Sequence, residues 1–168
     1  MSNMRPEPKR AEDERTTITE FLDFHRSTVV MKVGGLTDEQ ARRRLVPSAT
    51  TALGIVKHLA YVEHWWFRCV FEGVEPGEPW ASAPWGDDPD WDFHSAEHDR
   101  LAEVVVLYER ECERSRAIAS IFELDDVARR VGRDETLRWI LVHMIEETAR
   151  HNGHLDLLRE LLDGTVGA

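Results

Sequence analysis

The sequence predicts a single all-α domain built as a four-helix bundle. The chain has 168 residues, about one domain's worth and enough to bury one substantial core. Four long stretches repeat apolar residues at helical spacing. No stretch alternates apolar and polar residues as a half-buried strand would, and there is no internal repeat or low-complexity segment.

The elements follow in order. Residues 1–12 (MSNMRPEPKRAE) are polar, charged and interrupted by Pro6 and Pro8, which predicts a disordered tail ahead of one domain spanning 13–168. Ile18, Phe21, Leu22, His25 and Val29 then recur at helical spacing until Gly34-Gly35 stops the run. Thr37 with Gln40 three residues on reads as a capping box for a short extra helix reaching about Leu45, before Pro47. A second long helix is expected from about Thr51 to Glu72, ending at Gly73, and a third from roughly Ser95 to Phe122. The fourth runs from about Asp134 to Leu162. Its residues Leu137, Leu141, Met144, Thr148, His151, Leu155, Leu158 and Leu162 alternate steps of four and three, the seam pattern of packed helices. Between the second and third helices, about 74–93, lies a long connection carrying Pro76, Pro79, Pro84 and Pro89 with Trp80, Trp85 and Trp91. Prolines stiffen such a loop and tryptophans need apolar cover, so it is either a plug across one end of the bundle or a wall of a pocket or dimer contact.

Composition narrows the function. Lys plus Arg is 21 against 32 for Asp plus Glu, a net charge of −11, and no basic stripe offsets it. Such a surface repels phosphate backbones, so a nucleic-acid partner is not expected. Apolar runs are far shorter than the roughly 20 residues that span a bilayer, so no membrane partner is expected either. Cys69 and Cys112 form no spacing motif and read as reduced core thiols of a cytoplasmic protein. Only Lys9, Lys32 and Lys57 among the basic residues are lysines, a bias that fits a GC-rich genome.

The informative anomaly is polar. His151 occupies a seam position where the pattern calls for leucine, and Glu147 lies one turn before it on the same face. His58, in KHLAYVEHWW, shares its face with Val62, Trp65 and Cys69 and so points inward too. A carboxylate in an apolar seam is costly unless paired. A divalent cation on two neutral imidazoles and one carboxylate removes that cost, and this donor set suits catalytic zinc with a position left open. A Glu–His hydrogen bond without metal is the competing reading. His154, His143 and Asp156 are candidates to orient ligands or carry protons around this group. His25 fits a satisfied core histidine, and His64 is turned away from His58. The His94-Ser95-Ala96-Glu97-His98 run matches a zinc-peptidase pattern but falls at a helix start beside an acidic loop, and is set aside.

Two segments, TALGIVKHLAYVEHWWF and TLRWILVHMIEETARHNGHLDLLRELLDG, resemble the DinB-like superfamily, and within it the mycothiol-dependent S-transferase branch related to maleylpyruvate isomerase. The resemblance implies a DinB-like four-helix bundle with a divalent metal, zinc or nickel, held by His58, Glu147 and His151. Glutamate in the middle position departs from the three-histidine version and agrees with the mycothiol-linked branch. It also implies mycothiol as the thiol co-substrate, a small electrophile as the second reactant, and a homodimer. The alternatives are a hydrolase using metal-bound hydroxide and a non-catalytic metal-binding stress-response bundle.

Overall fold

The computed structural model describes residues 5–167, and among these the chain is all-α. The first four residues of the expected N-terminal tail lie outside the described residues, as does Ala168. Residues 5–12 carry no helix and run along the first one: Arg5 Nη1 donates to Thr28 Oγ1 (3.2 Å) and the Lys9 amide to Glu20 Oε2 (2.8 Å).

Helix α1 (Glu14–Val33) starts where the Asp13 side chain accepts the Thr16 amide and stops at Gly34. The short α2 (Asp38–Arg42) opens on the expected capping box of Thr37 and Gln40. Helix α3 (Ala52–Glu63) is capped by Thr51, and its helical path widens into a π-helix over His64–Phe71. Gly73, at φ +72, ends that path; a Cβ there would also press on the Arg129 backbone. Sequence periodicity had no means of showing the π stretch, because the apolar pattern runs through it unbroken.

The third long helix departs from the expected start near Ser95. A separate α4 (Trp91–Ser95) and one 3₁₀ turn (Ala96–His98) come first, and α5 covers Leu101–Ile121. The break is at Asp99, whose backbone is extended, whose carbonyl accepts Arg42 and whose carboxylate takes Lys57 Nζ (2.5 Å). Asp38 Oδ1 then receives the Leu101 amide at 2.8 Å. The last helix, α6 (Leu137–Asp163), is capped by Thr136 and ends at Gly164 in the left-handed region.

α1 packs along α6 and α3 along α5, and α3 also meets α6 and α1. Leu53, Val56, Leu59, Tyr108 and Leu155 form one core cluster, while Leu22, Phe67, Phe71, Ile140, Leu141 and Met144 form the other. The connection after the π-helix packs inward. Trp80 is 1% exposed, Trp85 stands between Tyr61 (4.5 Å) and Trp91 (5.7 Å), and Lys57 Nζ lies 4.6 Å from the Trp91 ring centre.

One ion pair crosses the core. Arg26 of α1 donates through Nε and Nη2 to both carboxylate oxygens of Glu63 on α3, each at 2.7 Å, and through Nη1 to Asp23. Both side chains are buried. Removing one partner strands the other charge, which typically costs about 3–5 kcal/mol. Arg26→Ala is therefore expected to lower the unfolding free energy by about 3–5 kcal/mol in urea titration, well beyond the effect of truncating the exposed Arg116.

Candidate metal centre

His58, Glu147 and His151 come together where α3 meets α6. Their ligand atoms all lie within 4.8 Å of one another, and among the described residues this is the group of His, Cys, Asp and Glu side chains able to hold a metal ion. Glu147 and His151 arrive there because residues four apart on α6 share a face. His58 faces them from α3. The geometry converges on one atom: His58 Nε2 and His151 Nε2 each stand 3.2 Å from Glu147 Oε1.

A residue the sequence did not single out completes the arrangement. Asp92 of α4, buried, accepts from His58 Nδ1 at 2.7 Å through Oδ2 and from the Phe93 amide at 3.0 Å through Oδ1. Phe93 stacks on the His58 imidazole with ring centres 4.8 Å apart. The long connection thus does two things: its tryptophans pack on the core, and its final residues wall the site. Asp92 was hard to find in the sequence because it follows Asp87, Asp88 and Asp90 in one acidic stretch. Its signal was its place between Trp91 and Phe93, two aromatics that had to be covered.

The surrounding candidates separate. His154 is exposed, with its Nδ1 3.4 Å from His151 Nδ1, and so adjoins the group. His143 points along α6 to stack on Trp139 at 5.1 Å and meets Trp66 edge-on at 4.8 Å. Asp156 pairs with Lys32 of α1. His64 is buried against Glu111 (3.1 Å) and accepts the Gly77 amide (3.2 Å), anchoring the connection. His94 pairs with Asp88, and His98 stands exposed beside Glu97. Cys69 and Cys112 are buried free thiols.

The charges explain why the group suits a cation. With His58 Nδ1 bonded to Asp92, its Nε2 presents a lone pair to Glu147 unless a second proton sits there. Burial alone would lower the His58 pKa, but the hydrogen bonds to Asp92 and Glu147 outweigh it and lift it to about 9. Glu147 is held far below the ordinary carboxylate range, first by its hydrogen bond with His151 and then by that with His58. Burial and the adjacent His151 push His154 down. Without a metal, an imidazolium supplies the positive charge this carboxylate needs; a divalent ion supplies the same charge at the same place. Two imidazole nitrogens, one carboxylate oxygen and a carboxylate behind one imidazole form a donor set fitted to zinc or a similar ion.

Against this geometry the comparison with known families is direct. The chain belongs to the mycothiol S-transferase family, the DinB-like mycothiol-dependent branch, whose family model matches residues 17–164. The match spans all the elements that build the site. A search of curated proteins finds no match.

In the metal-free protein, the His58 ring protons are expected to titrate near pH 9 by NMR, and Asp92→Asn to move that midpoint down toward the ordinary 6.5. The sign for stability follows from the raised value. The contribution is present in full below pH 6.5 and is lost as pH rises through about 9. The stability difference between wild type and Asp92→Asn should narrow across that window in urea titrations.

Proposed function

We propose that this protein is a metal-dependent thiol S-transferase that uses mycothiol to attack a small electrophile, with His58, Glu147 and His151 as the metal ligands. The observation that carries the reading is the convergence of three donors, no more, on one point among the described residues. Structural zinc is normally closed by four protein ligands, whereas three leave a position for an exogenous group. Family membership supports a thiol as that group.

A divalent ion lowers the pKa of a bound thiol so that the thiolate is available at neutral pH. The protein's own residues do the rest. His58 and His151 offer neutral nitrogens, and Glu147 contributes one negative charge, so that one thiolate balances the remaining charge of a divalent ion. Asp92 fixes the His58 ring with Nε2 turned to Glu147, and Phe93 covers one face of that ring against water. His154, beside His151, is the nearest exposed imidazole for proton exchange with solvent.

The reading carries with it zinc or nickel as the ion, a DinB-like four-helix bundle of α1, α3 with its π continuation, α5 and α6 as one domain over 13–168, a cytoplasmic setting and a homodimer. No helix among the described residues is long and apolar enough to cross a membrane, and the charge of −11 disfavours a nucleic-acid partner.

The test is metal content by elemental mass spectrometry on protein purified without an affinity tag. Wild type should hold about one equivalent, while Glu147→Ala and His151→Ala lose it and keep their helical circular-dichroism signal. Asp92→Asn should weaken metal affinity by about 10- to 100-fold, the usual effect of removing a partner behind a ligating histidine. Consumption of a test electrophile should then require both metal and mycothiol. Absence of metal after reconstitution with zinc or nickel would overturn the assignment, and metal-dependent hydrolysis without thiol would replace it with a hydrolase.

A further inference from the structure

The face that carries the triad continues into an aromatic shelf. His58 contacts Glu147 and His151, while Trp66, eight residues later on the same path, contacts Trp139 and His143, each eight residues before one of those α6 partners. The two paths therefore run antiparallel, with the metal-capable group at one end and the aromatics about 12 Å along. The π-helix contributes to this alignment. Each π residue turns through less than the α-helix's ~100°, so Trp66 is rotated back toward the His58 face.

The shelf is ordered and open. Trp139 and His143 stack at 17° with centres 5.1 Å apart, and Trp66 sits 5.3 Å from Trp139. The Arg133 guanidinium lies 5.0 Å from the Trp66 ring centre. Trp139 is nevertheless 47% exposed, and its neighbour Val142 52%. Exposed aromatic surface held this rigidly marks a contact site rather than core packing. Trp139 lies two turns, about 12 Å along α6, from Glu147, beyond the reach of a small electrophile that has to lie beside the sulfur it meets. A thiol carried on a longer body reaches both places.

We propose that Trp66, Trp139 and His143 bind the ring-bearing body of the thiol co-substrate by stacking an uncharged ring face on the shelf, while the sulfur end lies at the triad. This rests on the thiol-transferase reading and adds the carrier's chemistry to it: a thiol with a ring within about 12 Å of its sulfur is taken, and a bare alkyl thiol gains nothing from the shelf.

Calorimetry on the zinc-loaded protein tests it with two probes, mycothiol and 2-mercaptoethanol. Trp139→Ala should weaken mycothiol binding by about threefold to tenfold, the range expected for one lost aromatic contact, and Trp139→Phe by less. Neither substitution should change 2-mercaptoethanol affinity. Because Trp139 is half exposed, both variants should keep the wild-type circular-dichroism spectrum. If wild type binds both thiols and Trp139→Ala binds mycothiol equally well, the shelf assignment is overturned while the thiol reading stands. If wild type binds neither thiol, the thiol reading itself fails. A dimeric wild type that Trp139→Ala turns into monomers would overturn the proposal by giving the shelf to a second copy of the chain.

Discussion

The His58 imidazole lies between two carboxylates, with Nδ1 2.7 Å from Asp92 and Nε2 3.2 Å from Glu147, so a neutral ring turns a lone pair on one of them. Without a metal a second ring proton answers both, and these two hydrogen bonds lift the His58 pKa to about 9. The same requirement makes the place receptive to a divalent ion. Metal affinity, the tautomer of His58 and the charge left for an incoming thiol all depend on this one constraint.

The rest of the fold holds α3 in place. Two adjacent pairs of polar residues on its path, Lys57-His58 and Glu63-His64, are answered from three neighbouring sides. Lys57 is met by Ser95 of α4 and by Asp99 just before α5, His58 by Asp92 of α4, Glu63 by Arg26 of α1, and His64 by Glu111 of α5. A buried polar group is costly when its partner is missing, so each tie penalises a shift of α3 against its neighbour. Apolar packing alone tolerates small slides between helices. These ties fix the rotation of α3, and with it the direction of His58.

Much of this was legible in the sequence. The triad could be read because His151 interrupts a regular apolar seam with Glu147 one turn before it, and His58 shares a face with Val62 and Trp65 on an apolar helix. The capping box at Thr37 and the stops at Gly34 and Gly73 follow from local chemistry. What stayed hidden depends on contacts distant in sequence. Asp92 is one aspartate among several, and only the approach of α4 to His58 gives it a role. The break at Asp99 arises from Lys57 and Arg42, neither of which is near it in the chain. His143 has the spacing to face the triad, yet its ring stacks on Trp139 and meets Trp66 edge-on. Asp156, five residues past His151, lies well round the helix from the triad, and Lys32 of α1 pairs with it.

The proposed metal centre of His58, Glu147 and His151 leaves one position for a thiol to fill. X-ray absorption spectroscopy at the zinc edge, on the zinc-loaded protein before and after addition of mycothiol, addresses it directly. The expected spectrum shows a shell of nitrogen and oxygen donors at first, with both cysteines buried elsewhere, and one sulfur scatterer on addition of the thiol. A spectrum that mycothiol leaves unchanged, or one that shows sulfur before any thiol is added, would contradict it.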